Sequence, residues 1–360
     1  MTSPLLNKSI KVLLFFLLLF TLLYFAKPFL VPILIAVFLS MLLLPLCRFL
    51  ESKMPRGLAV VLSLLVFLVV VAVIGYIVST QITNIAGQSD KIEKNIQVKL
   101  QQVEDFVSRE LGITRQKQQQ MIQEQEKSMG NSSSLLSGAV ASLGSFATRF
   151  IILVVYMFLF LYYREHFSEF ILKVVPSKDK TNTKNILHDV QKVAQHYLTG
   201  LAMMIGCLWV MYGIGFSVIG VKNALFYAML CGLLEIVPFV GNLTGVTITV
   251  VMTLAQGGDL ALVVAVIVTY GIVQLLQTYI LEPLVVGKSI SIHPVFTIVG
   301  LVGAEILWGI PGMALVLPLL GVTKILCDHI EPLKPYGFLI GEERTGKPGL
   351  MEKVKKKIGL

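Results

Sequence analysis

Charge is what this sequence has least of. Lys, Arg, Asp and Glu make up 14% of its 360 residues, against about 25% in a soluble domain, which excludes an ordinary water-soluble globule. Cysteine is scarce too. Cys47, Cys207, Cys231 and Cys327 lie in apolar stretches with no CxxC spacing, so they read as small buried hydrophobes rather than a disulfide framework or a thiolate metal site. Walker A, HExxH and GxSxG signatures are all missing, which speaks against an enzyme and against nucleotide-driven pumping. No cofactor and no metal are expected. Any movement would draw on an ion gradient or run down the solute's own gradient. Residue-by-residue alternation is absent as well, and with it the signature of a membrane barrel.

What is present is hydrophobic length. Hydrophobic residues reach 55% and mean hydropathy is +0.80. The apolar runs are near-continuous and long enough to cross a bilayer as helices, which need about 20 residues. The sequence therefore predicts an all-α, polytopic helical membrane protein whose direct partner is the lipid bilayer. The formal charge of +9 raises nucleic acid as a partner. No aromatic-interleaved basic patch or DNA-binding motif supports that, and lysines flanking apolar segments account for the excess through the positive-inside rule.

Taken in order, residues 1–80 hold three spans. Lys8 and Lys11 precede an apolar run from Val12 to Ala26, which resembles a signal peptide. No small-x-small cleavage site follows, and a second run, Phe29 to Leu46, begins at once after Lys27 and Pro28, so the first run reads as retained. Arg48, Lys53 and Arg56 mark a cytoplasmic turn before a third span, Leu58 to Val78. Residues 81–137 are polar, with acids and bases balanced. Ile92, Ile96, Leu100, Val103, Val107 and Leu111 recur at helical spacing, so this is an extracytoplasmic helical arm. It either covers the outer mouth, contacts another subunit, or simply packs as a solvated hairpin.

Residues 138–163 hold a fourth span ending in Tyr162, Tyr163 and Arg164, an aromatic-plus-cation anchor. Residues 164–197, rich in lysine, read as a cytoplasmic linker with an amphipathic helix around Ile186 to Tyr197. Residues 198–327 form the transmembrane core, and 328–360 a lysine-rich cytoplasmic tail. Both termini are expected in the cytoplasm.

Within the core, the runs 224–255 and 295–326 are each apolar but broken centrally. The first carries Glu235, Pro238, Gly241, Asn242, Thr244 and Gly245; the second carries Glu305, Gly309, Pro311 and Gly312. Proline and glycine cannot continue a regular helix without losing backbone bonds or exposing them. Each run is either one kinked span or a re-entrant hairpin, because a half-run is too short to cross a core about 30 Å thick. This leaves about eight apolar segments, two of them broken.

A carboxylate at membrane depth faces protein, water or a ligand, and broken helices are how many transporters build a midplane site. Glu235, Pro238, Gly241, Asn242, Thr244, Gln274, Gln277 and Glu305 are therefore candidates to line a substrate or ion site. The 282–294 loop, with Glu282, Pro283, Gly287, Lys288, His293 and Pro294, is a candidate gate or hinge, joined by Gly309 and Gly312. Structural roles compete at each: a hydrogen-bonded acid at Glu235, an interface anchor at Glu282, a turn at His293.

One ordered set of residues resembles the AI-2E (autoinducer-2 exporter) family of bacterial permeases. It comprises Phe160 to Tyr163, Val175-Pro176, Tyr197 to Gly200, Glu235 to Gly241, Glu282 to Lys288, His293-Pro294, and Gly309 to Gly312 with Pro318. The sequence departs from the family pattern at Asn242, where proline often follows the glycine, and at Trp308 beside the second break. The resemblance implies a homo-oligomeric inner-membrane permease, a pentamer being one arrangement. It also implies export of autoinducer-2, a small hydroxylated signal, or sodium/proton antiport, since family members have been linked to each. The expected function is a secondary transporter moving a small polar solute outward by alternating access. The alternatives are a cation/proton antiporter using the same acids and a non-transporting membrane scaffold.

Overall fold

The computed structural model describes residues 4–87, 95, 132–176, 180–286 and 292–342. Gly287 and Lys288, most of the 81–137 arm and the tail beyond residue 342 lie outside the described residues. Those described form an all-α membrane fold. In chain order the helices are α1 (Pro4–Phe25), α2 (Lys27–Glu51), α3 (Arg56–Ala86), α4 (Ser132–Tyr162), α5 (Arg164–Val174) and α6 (Lys180–Val218). Then follow α7 (Ala224–Leu234), α8 (Val240–Ala255) and α9 (Leu260–Leu276), which continues as a π-helix over Gln277–Val286. Beyond the loop come α10 (Pro294–Trp308), α11 (Ile310–His329) and a short α12 (Lys334–Ile340).

Helices α2, α3 and α4 pack around Ala36, Leu44, Cys47, Val60, Leu64, Met157 and Leu161. Ser40 donates its hydroxyl to the Met157 carbonyl at 3.3 Å inside this bundle. At its end Arg164 grips Glu51 with two nitrogens, at 2.9 and 2.5 Å, and Arg56 donates to Glu165 at 2.9 Å. The Arg56 and Arg164 seen as topology markers in the sequence are thus also the pins of this corner.

The linker expected over 164–197 divides in two. Arg164–Val174 is a separate helix, bent 66° from α4. Residues 180–218 form one continuous helix, so the amphipathic stretch near Tyr197 runs without a break into the fifth apolar run. Ala194 of that stretch packs on Phe38 of α2 and Leu315 of α11.

The two broken runs are antiparallel helix pairs. In the first, a side-chain carbon at Gly245 would meet the Cys231 sulfur at 3.1 Å, and Cys231 Sγ lies 3.6 Å from Thr249 Oγ1. Further out, Gln256 donates to the Tyr227 hydroxyl at 2.9 Å and Lys222 to the Gln256 carbonyl at 2.8 Å. Residues rising along α7 meet residues falling along α8, so the chain returns to the end it left. The reversal happens at Phe239, a non-glycine residue at φ 62°. That conformation costs of order 1–3 kcal/mol and persists only where packing imposes it.

In the second pair Gly300 sits against Val316 and Leu320, and Gly312 against the Ala304 carbonyl. The reversal is at Gly309, φ 67°. The pairs open at opposite ends of α6. The first opens beside Lys222, just past Val218; the second opens beside His329, which lies 3.4 Å from Asp189 in the opening turns of α6. Val237, at the tip of the first pair, packs on Leu301, Met313 and Val316 of the second.

Candidate functional site

The tip of the first helix pair places Glu235 directly after α7, where its backbone N–H still bonds to the Cys231 carbonyl at 3.2 Å. Its carboxylate then reaches a different element. Gln277 Nε2 donates to Glu235 Oε1 at 2.8 Å. Gln277 is fully buried, against Met204 of α6, whose sulfur lies 3.8 Å from the same nitrogen. Its carbonyl oxygen, and that of Gln274 three residues earlier, are buried with no hydrogen-bond partner. An unsatisfied buried acceptor costs about 1–3 kcal/mol, so these two oxygens, on the helix whose Gln277 holds Glu235, are acceptors that a hydrogen-bond donor or a positive charge would satisfy.

Gln277 opens the π-helical stretch, and Pro283 lies inside it. Proline cannot donate to the carbonyl four residues back, and the wider π register is a rare geometry found disproportionately at functional sites. Of the expected gate residues, Glu282 and Pro283 sit on this stretch with exposed side chains.

Other expected residues are brought near, or left apart. Asn242 contributes through its backbone: its carbonyl accepts from the Tyr270 hydroxyl at 3.0 Å. Gly241 is buried against the Leu234 carbonyl, where a side-chain carbon would have no space, and Pro238 caps the tip, its carbonyl accepting from Val240 at 2.7 Å. Thr244 points away, exposed, its hydroxyl donating to the Val240 carbonyl at 2.7 Å. Glu305 is exposed on α10. His293 and Pro294 start α10; His293 Nδ1 accepts from the Val295 N–H at 3.3 Å, a capping role. At the far tip Trp308 donates to the Leu23 carbonyl at 3.0 Å, which ties the second pair to α1.

Two tyrosines were not among the expected residues. Tyr270 carries the bond to Asn242 and stacks on Tyr212 with ring centroids 5.6 Å apart. Tyr270, Gln274 and Gln277 are spaced i, i+4 and i+7, one face of a helix, a stripe that the sequence does display. Among the described residues no group of three His, Cys, Asp or Glu side chains comes together as a metal site.

Comparison with known proteins bears on this architecture. Residues 13–331 match the profile of the AI-2E family transporter. The chain belongs to that family. Its curated relatives include "Putative transport protein YueF" of Bacillus subtilis (strain 168), 28% identical over 307 residues, covering 80% of each chain. "Putative transport protein YrrI" of the same organism is 27% identical over 198 residues, covering 54% of this chain and 55% of its own. "Putative transport protein MT0215" of Mycobacterium tuberculosis (strain CDC 1551 / Oshkosh) is 27% identical over 197 residues, or 52% of each. As an AI-2E family member with multiple apolar helices, this is a multi-pass membrane protein with a transporter role. Lipid and a transported solute are its partners.

Proposed function

We propose that this AI-2E family protein is a secondary transporter of the bacterial inner membrane that exports a small polar solute, similar to autoinducer-2, by alternating access. The observation carrying this reading is the Glu235–Gln277 bond. It joins the tip of a helix pair that opens at one end of α6 to the π-helical stretch of α9, beside two acceptor oxygens lacking donors. A hydroxylated solute brings the donors such a site lacks. Glu235, Gln277, Gln274 and the 238–242 turn would hold it. The 282–294 segment, with the Gly309–Gly312 tip, would move. Termini facing the cytoplasm and a homo-oligomeric assembly complete the proposal.

The test is solute flux into proteoliposomes. Glu235→Gln and Gln277→Leu variants that fold like the parent but transport every solute as it does would overturn the site. A second reading, cation/proton antiport, is favoured by the same acceptor oxygens beside a carboxylate. Counter-ion movement under an imposed sodium or pH gradient, with no organic solute added, would select it.

A further inference from the structure

We propose that α5 is an interfacial membrane helix, seated with Phe167, Phe170, Ile171 and Val174 in the headgroup layer of the bilayer that α4 crosses. These four side chains fall at i, i+3, i+4 and i+7, one stripe of a helix. All four are exposed, Phe170 at 62% and Val174 at 69%, and no residue of α5 is buried by the protein. A stripe of two phenylalanines and two aliphatics left open on a helix of 11 residues requires a cover, and the geometry names it.

First, the helix leaves α4 at 66°, so where α4 stands across the bilayer α5 lies nearer its surface. Second, the stripe is turned toward the span: the Phe167 ring lies 5.6 Å from that of Phe160, inside α4. Third, the bend is held by ions and aromatics suited to an interface. Arg164 grips Glu51, Arg56 reaches Glu165 at 2.9 Å, and Tyr162 and Tyr163 meet edge to face at 4.9 Å. Tyrosine and arginine collect where one end of a side chain is apolar and the other wet. The opposite side carries Glu165, His166, Glu169 and Lys173.

The formal charges of α5 cancel, Arg164 and Lys173 against Glu165 and Glu169. Insertion is therefore driven by apolar burial, typically about 5–10 Å into the headgroup–acyl boundary, and does not need anionic lipid. The consequence is mechanical. The α2–α3–α4 bundle is held at a set depth by α5.

The experiment places single cysteines, spin-labelled, at 167, 170, 171 and 174, and at 166, 169 and 173. It uses the full chain in phosphatidylcholine vesicles, with the parent's own labelling subtracted. Accessibility to oxygen and to a water-soluble nickel chelate is read at each position. The first group is expected to show a severalfold higher oxygen-to-nickel ratio than the second, unchanged when phosphatidylglycerol is mixed in. Equal nickel accessibility at all seven positions would overturn the proposal, as would a first group reached by neither reagent, because the stripe would then be covered by protein. A lipid contact appearing only with phosphatidylglycerol would overturn the charge-independent form. Lys173 and Glu169 make only an exposed i, i+4 pair, so labels there leave the fold intact and keep the comparison readable.

Discussion

Glu235 and Gln277 stand 42 residues apart in the chain and 2.8 Å apart in space. One sits on the reversal between α7 and α8, the other where α9 changes from α to π register. The bond is the place where the turn of the first helix pair is tied to its neighbouring span, so it reports on both.

Breaking that bond from either side should cost stability and be non-additive. Gln277→Leu leaves a half-buried carboxylate without its donor, and a hydrogen bond to a charged group is worth about 1.5–3 kcal/mol. Glu235→Leu and Gln277→Leu together should destabilise by less than the sum of the two, as measured by thermal unfolding in detergent through a double-mutant cycle. Additive losses would show that the two groups act separately.

The antiparallel pairing of α7 and α8 is open to a chemical test. A side-chain carbon at position 245 would lie 3.5 Å from Cys231 Cβ, at the short end of the range for a disulfide. Gly245→Cys should form an intramolecular disulfide with Cys231 under mild oxidation, detected by peptide mapping. A kinked span would hold the two residues about 21 Å apart, 14 positions at 1.5 Å each, and no crosslink would form.

The two tips depend on close backbone approach. Gly241→Ala and Gly312→Ala would drive a methyl into the carbonyls of Leu234 and Ala304 respectively. Each should lower stability by about 1–3 kcal/mol, the usual range for overpacking. Gly206→Ala and Gly271→Ala, where an added carbon meets nothing within 4 Å, should be close to neutral. A melting series that ranks the four otherwise would refute the tip geometry.

At the α4–α5 bend, Arg164→Lys keeps the charge but loses the two-pronged grip on Glu51, which only a guanidinium supplies. It should be measurably less stable than the parent, and Arg164→Ala less stable still. The partner change Glu51→Gln should remove most of the difference between Arg and Lys at 164. Equal melting of parent and Arg164→Lys would mean the ion pair contributes nothing there.

Much of the site was legible and its assembly was not. Glu235, Gln274 and Gln277 stand out because carboxylates and amides are costly in apolar runs. Position in a run does not reveal which face a side chain takes, and so Thr244 and Glu305 were named beside Glu235 although both are exposed. Tyr270 and Tyr212 were overlooked because a tyrosine in an apolar stretch reads as core until its hydroxyl finds a partner.

By itself the sequence determined the class of protein: too little charge for water, helical runs long enough for lipid, and two runs interrupted by residues that cannot continue a helix. Those are local properties, set by solvation and by backbone chemistry one residue at a time. Tertiary structure alone decided that each interrupted run doubles back. The decisive turn is held by Phe239 at φ 62°, a residue with no intrinsic preference for that conformation. What holds it there is contact from elsewhere in the chain: Val237 packed on α10 and α11 and Glu235 bonded to Gln277.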